Sequence, residues 1–291
     1  MQVILKHGPE LHQRPCVWIL AGTGEGPVLT RALLEQGWAV RVSLVSAAAA
    51  QAYQQLRRSW PLSELELRIG ALQGPAEIVG VLQHAACQGR PVQVVVDATH
   101  PFAIRISHDL RQACERVAVP LLRLGREPLP LAGAELLSDL EALAGIPLAG
   151  ERLLLALGSR HLAQAMACTP GALHHARVLA NPLALQLALA AGLAPERVAC
   201  LRPSEGFVVE AALLEHWGIT AVLCRQSGGR TEAGWQRLAL QRGCRLLVLR
   251  RPSEPAEALP LEALLVKLKH RRSEEARGRS PSAPGAAGPH Q

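Results

Sequence analysis

Short apolar runs rich in β-branched residues alternate with longer stretches of helical periodicity along nearly the whole chain, and this alternation most restricts the fold. Residues 17–21, 39–45, 66–69, 92–96 and 120–123 read as strands, with residues 28–36, 47–58, 76–86 and 102–117 as the intervening helices. The rhythm breaks between Gly125 and Gly133, where glycine, proline and charge cluster. A second series follows, with strands at 134–137, 152–157, 177–179, 198–201, 220–224 and 245–249. Its helices fall at 182–191, 208–217 and 232–241, before a last helix at 261–270. Strands separated by crossover helices predict parallel sheets covered on both faces. The expected fold class is α/β, with two Rossmann-like domains and an active-site cleft between them. The expected boundaries are an N-terminal extension over 1–15, a nucleotide-binding domain over 16–128, an α/β domain over 129–272 and a disordered tail over 273–291. That tail is basic and rich in Pro, Gly, Ser and Ala.

Composition narrows the functional classes. Of 291 residues 49% are hydrophobic but only eight are aromatic, so the cores are built from Leu, Ala and Val, and stacking platforms for single-stranded nucleic acid are not expected. Of the net charge of +7, residues 266–291 carry +4, with six Lys/Arg against Glu274 and Glu275, so the body is only mildly basic and no nucleic-acid partner is expected. No apolar run approaches the ~18 residues of a membrane span, and residues 1–14 lack the apolar core of a secretory signal. Seven cysteines, with no Cys-x-x-Cys pair, fit reduced thiols in the cytoplasm better than a disulfide framework or a metal cluster. The adjacent His174-His175 lacks the spacing of a metal pair on a helix, and no metal is expected.

In an open α/β sheet, ligands meet the loops at the carboxyl ends of the strands. The first such loop is Gly22-Thr23-Gly24-Glu25-Gly26-Pro27. Its glycines let backbone N–H groups approach a phosphate, although Pro27 breaks the full G-x-G-x-x-G pattern. The second strand ends in Leu44-Val45-Ser46-Ala47, without the carboxylate that would hold an NAD ribose. Ser46 tolerates a 2′-phosphate, which favours NADPH; it would equally serve as a helix cap. The fourth strand runs into Asp97-Ala98-Thr99-His100-Pro101-Phe102-Ala103, where Thr99 is a candidate cofactor contact and His100 a candidate proton donor or cap. Two turns of the second half, Leu157-Gly158-Ser159-Arg160 and Arg225-Gln226-Ser227-Gly228-Gly229, place arginine beside a glycine turn before a helix, a pattern suited to anions. The chain has no nucleophile elbow and no Walker A lysine loop.

Taken together, Val17-Trp18-Ile19-Leu20-Ala21-Gly22-Thr23-Gly24-Glu25, the Asp97–Ala103 string and Pro120-Leu121-Leu122-Arg123-Leu124 resemble the precorrin-6A reductase family of cobalamin biosynthesis. Leu157–Arg160, Ser227-Gly228-Gly229 and Leu249-Arg250-Arg251-Pro252 extend the likeness, which spans about residues 17 to 252. It implies an NADPH-dependent reductase that delivers hydride to one C=C bond of the precorrin-6A, or cobalt-precorrin-6A, macrocycle. Gly22, Thr23, Gly24 and Glu25 would then lie at the cofactor, with Thr99 and His100 lining the cleft. Ser159, Arg160, Arg225, Ser227, Gly228 and Gly229 would face the polycarboxylate tetrapyrrole. The alternatives are a non-catalytic dinucleotide sensor and a reductase of another small acidic substrate. The Tyr-x-x-x-Lys pair of many small-molecule reductases is absent, since Tyr53 is followed by Gln54-Gln55-Leu56-Arg57.

Overall fold

The computed structural model describes residues 14–131, 133–253, 255 and 257–278. Two compact units result, one of residues up to Gly125 together with those from 254 onward, the other of Arg126–Ser253.

The first unit contains β1 (Cys16–Ala21), α1 (Glu25–Glu35), β2 (Ala39–Leu44), α2 (Ala47–Ala50), α3 (Gln54–Ser59), β3 (Leu65–Ile69), α4 (Gly74–Cys87), β4 (Val92–Ala98), α5 (Ile104–Arg116) and β5 (Leu121–Arg123). The strands form a parallel sheet in the order β3-β2-β1-β4-β5, so the order in which strands are added switches side between β1 and β4. Every residue of β1 is buried, because alternate side chains enter two different cores. Val17 and Ile19 pack with Leu29 and Leu33 of α1, whereas Trp18 and Leu20 pack with Ile78, Leu82 and Leu110 of α4 and α5. The single helix expected over 47–58 is instead two short helices separated by a 3₁₀ turn at Gln51–Tyr53, whose tyrosine is buried.

The second unit comprises β6 (Glu135–Leu137), β7 (Arg152–Ala156), α6 (Leu162–Cys168), β8 (Leu173–Val178), α7 (Pro182–Ala190), β9 (Val198–Cys200), α8 (Val208–His216), β10 (Ala221–Arg225), α9 (Arg230–Arg242) and β11 (Arg245–Leu249). Its sheet is also parallel, in the order β6-β11-β10-β7-β8-β9, and reverses between β7 and β10.

Two expectations are corrected. Helix α10 (Leu261–Gly278), assigned from chain order to the second half, belongs to the first unit. Leu264 and Leu268 stand one helical turn apart, and both are fully buried in the core formed by Leu29, Leu33 and Val40. Leu259 also extends the first sheet, bridging Leu124 in parallel. The same helix runs on through residues 273–278, where the sequence predicts the start of a disordered tail; residues 279–291 and the first thirteen lie outside the described residues.

The strand expected at 177–179 spans Leu173–Val178. Two histidines masked its apolar character, yet both are buried. His174 Nε2 lies 2.7 Å from the Thr169 hydroxyl, and the His175 ring rests 5.0 Å from that of Trp217. Burial lowers the pKa of both, and the charges of Arg197 and Arg152 add to the effect at His175. The native imidazoles are therefore harder to protonate than those of the unfolded chain, whose ordinary pKa is about 6.5. The unfolded state binds more protons around that pKa, so stability falls as pH falls. We expect Tm to drop between about pH 7 and 5.5, and His175→Phe, which keeps a ring on Trp217, to flatten part of that drop. A wild-type Tm that is level over this range would contradict the assignment.

Candidate active site

At the carboxyl edge of the first sheet, the loops after β2, β1 and β4 are neighbours because their strands are. The β1–α1 turn is fastened to β4: Gly22 N–H donates to the Ala98 carbonyl at 3.3 Å, as does the Thr23 hydroxyl at 3.5 Å. A Cβ on Gly22 would stand 3.3 Å from His100 N and 3.4 Å from Thr99 Cα, so glycine permits the close approach of the two loops. Gly24 opens α1 and has open space where a Cβ would be, while Glu25 is the first residue of the helix. Gly22 and Gly24 are exposed. A turn of exposed, side-chain-free backbone at the N-terminus of an eleven-residue helix, at the point where the sheet reverses, fits the phosphates of a dinucleotide. Gly26 has another role: its missing Cβ is where the buried Tyr53 hydroxyl sits.

Ser46, exposed on the adjacent loop, caps α2 by accepting the Ala49 N–H at 3.3 Å. The cap and a ligand contact are compatible, since a hydroxyl oxygen has a second lone pair and a proton.

Asp97, Thr99 and His100 are not equivalent. Asp97 is 2% exposed and bonded to the Arg123 guanidinium at 2.6 Å. Its Oδ1 also accepts the Thr99 N–H at 3.0 Å and the Thr99 hydroxyl at 2.7 Å. Arg123 Nη1 further donates to Thr99 Oγ1 at 3.0 Å and to Ser107 Oγ at 3.1 Å. The Thr99 hydroxyl is thus engaged internally as donor and acceptor, leaving backbone as what this residue turns to the Gly22 loop. Arg123 and Ser107 were not singled out in the sequence, although the β4–β5 register sets Asp97 directly beside Arg123. The His100 Nδ1 accepts the Phe102 N–H at 3.2 Å, which fixes the ring with its proton on Nε2.

At the carboxyl edge of the second sheet, the loops after β7 and β10 flank the reversal point. Gly158 has φ +92°, and the space beside its missing Cβ is taken by the Arg225 guanidinium, at 3.5 Å. Ser159 and Arg160 follow, and Arg160 is exposed. Burial, and then the Arg160 charge, push the pKa of Arg225 down to about 10. Burial, then the charges of Arg225 and Arg160, also lower that of His161, so positive charge is concentrated here. The β10–α9 turn is tighter than its sequence implied. Gln226 and Ser227 are buried, and Arg126 donates to the Ser227 carbonyl at 3.3 Å. Gly228, φ +67°, leaves no room for a side chain: a Cβ would lie 2.7 Å from the Glu127 carbonyl oxygen. Its N–H already donates, at 2.7 Å, to the buried carboxylate of Glu232 in the first turn of α9. Glu232, absent from the sequence assignment, therefore occupies part of what Ser227, Gly228 and Gly229 would offer an anion; the acid at N3 of α9 was the available signal. No group of three or more metal-binding side chains occurs among the described residues, and no described helix is long and apolar enough to cross a membrane.

Both units are doubly wound α/β sheets with polar and glycine-rich loops at the reversal, the place where ligands of this class of fold bind. The precorrin-6x reductase family, CbiJ/CobK, matches residues 16–269. The chain belongs to that family, whose members are oxidoreductases acting on a CH–CH group. It is 31% identical over 243 residues to the cobalt-precorrin-6A reductase of Synechocystis, covering 81% of this chain and 88% of that one. It is 28% identical to the precorrin-6A reductase of Rhodobacter capsulatus, covering 82% and 88%. The solved structure of a CobK precorrin-6A reductase superposes with TM-score 0.65 at 28% identity, covering 88% of this chain and 97% of that one.

Proposed function

We propose that the protein is an NADPH-dependent reductase that saturates one C=C bond of the precorrin-6A macrocycle, with or without cobalt, in the cytoplasm. The observation that carries this reading is the glycine turn at the reversal of the first sheet, fastened to the end of β4 by the Gly22 N–H bond to the Ala98 carbonyl at 3.3 Å; family membership supports it. Thr23, Gly24 and Glu25 would hold the nucleotide phosphates and ribose through backbone N–H groups and the α1 dipole, while Gly22, its own N–H bonded to the Ala98 carbonyl, would leave room for them to approach. Ser46, on the neighbouring strand end, would receive the 2′-phosphate, and Thr99 would contribute its backbone. The nicotinamide, when bound, supplies the hydride. His100 Nε2 is the group assigned to deliver the proton to the adjacent ring carbon. Ser159, Arg160, Arg225, Ser227, Gly228 and Gly229 are assigned to the substrate carboxylates, with Arg160 and Arg225 supplying charge. The cytoplasm, where thiols stay reduced, suits seven cysteines that form no disulfide.

Titrating the purified protein with NADPH and NADH, followed by intrinsic tryptophan fluorescence, tests the cofactor assignment. We expect NADPH to bind at least about tenfold more tightly, a difference of about 1.4 kcal/mol, and Ser46→Asp to abolish that preference by opposing the 2′-phosphate. Binding of neither nucleotide would overturn the assignment at Gly22–Glu25.

A further inference from the structure

The turn between β9 and α8 is held in a costly shape. Gly206 has φ +63° and ψ 0°, and Phe207, with a full side chain, has φ +63° and ψ +29°. Left-handed backbone at phenylalanine persists only where its surroundings over-determine it. Here three sets of contacts do so. The Phe207 ring fills the hollow left by the missing Cβ of Gly234 and meets Trp235 edge-on, with 5.5 Å between centroids. Arg237 donates to the Gly206 carbonyl at 3.0 Å. Ser204, which opens the turn, donates its N–H at 3.1 Å and its hydroxyl to the Glu210 carboxylate, and its oxygen accepts the Val209 N–H at 3.2 Å.

Glu210 also faces a second candidate partner. It is fully buried, and its charge acts on Arg177 of β8, which is 8% exposed and whose Nε and one Nη have no hydrogen-bond partner. The register accounts for the juxtaposition. His175 and Arg177 project from one face of β8, and the His175 ring rests on Trp217, which closes α8. Arg177 stands about 7 Å further along the strand, and Glu210 about 10 Å back along the helix, both toward the carboxyl edge of the sheet. The hydrogen bonds of Glu210 nevertheless go to Ser204, and a buried guanidinium with unmet donors is unfavourable.

We propose that Glu210 is a two-position latch: bonded to Ser204 it holds residues 204–207 folded against α9, and turned to Arg177 it frees them. In the second position Arg177 gains its missing acceptor, Ser204 loses its anchor, and Phe207 leaves the Gly234 hollow for an ordinary backbone conformation. Each position relieves one unfavourable group and leaves another, the condition for two states of similar free energy. The strap follows β9 at the carboxyl edge, where ligands of such sheets bind, so its opening would regulate access there. The inference stands on the second unit alone and does not depend on the reductase reading or on the ligand.

Hydrogen exchange of the full chain without ligand, read by NMR at the Phe207 amide, tests the latch. That N–H is bonded to the Ser204 carbonyl at 3.2 Å, a backbone acceptor that the variants below leave in place. Ser204→Ala removes the hydroxyl that Glu210 holds and should speed this exchange at least about threefold, without speeding that of β7 and β10. Arg177→Met removes the second position and should slow it by a similar factor. Because that change leaves the Glu210 charge buried alone, the decisive variant is Arg177→Met/Glu210→Gln, which buries no unpaired charge and keeps an acceptor for Ser204. We expect the double variant also to exchange more slowly than wild type. A wild-type rate would mean that the strap opens without Arg177, and a faster rate that the Glu210 charge only braces the turn; either result overturns the latch.

Discussion

Replacing Arg123 with methionine should cost about 3–5 kcal/mol of stability, the penalty for stripping the partner from a buried charge. Asp97 is 2% exposed, and the 2.6 Å contact with Arg123 is its ion pair. The guanidinium also bonds Thr99 and Ser107, so the change leaves several buried polar groups short of partners at once. The double variant Asp97→Asn/Arg123→Met should be less destabilised than the sum of the single changes, because it removes the orphaned charge. Urea denaturation of the single and double variants measures both quantities. A loss below about 1 kcal/mol for Arg123→Met, the value typical of exposed pairs, would show that this network does not anchor the end of β4.

The second large effect concerns Gly26. A methyl group there meets the Tyr53 hydroxyl and stands 3.0 Å from Ala21 Cβ, and Tyr53 is itself 2% exposed, with no room to retreat. Gly26→Ala should therefore destabilise the protein by about 1–3 kcal/mol through overpacking. Its partner variant makes the cause identifiable. Tyr53→Phe deletes the obstructing oxygen and leaves the nearest ring carbon 3.5 Å from the new methyl, an ordinary contact. Thermal melts of the two single variants and the double should yield a favourable coupling of about 1 kcal/mol or more. Strict additivity would mean that the glycine is required for some other reason.

Gly26 also illustrates how much of the molecule the sequence discloses. Strand–helix alternation led to the two parallel sheets because it is a local signal, repeated often enough to outweigh local exceptions. The carboxyl-edge rule then selected Gly22, Thr99, His100, Arg160 and Arg225 as candidates from strand ends alone. What escaped were reasons that lie far away in the chain. Gly26 reads as part of a phosphate turn, yet its small size answers to Tyr53, twenty-seven positions on. Asp97 reads as a cleft residue until strand register sets Arg123 next to it. The Ser227-Gly228-Gly229 turn reads as open to a ligand, whereas Glu232 has claimed one of its N–H groups. Histidines 174 and 175 concealed a strand because polar residues lower apparent apolarity even where each finds a buried partner.

The return of α10 to the first unit has a consequence for how the chain is born. As the polypeptide leaves the ribosome, residues 126–253 complete a continuous unit before Leu264 and Leu268 exist outside the exit tunnel. Until then the apolar slot beside Leu29, Leu33 and Val40 stays open, on the order of ten seconds at ordinary rates of chain elongation. The unit synthesised first is thus the one finished last, and it passes through translation with an incomplete core. Premature termination between residues 254 and 268 would release a nascent chain whose second unit is complete and whose first unit is a ready substrate for chaperones and proteases.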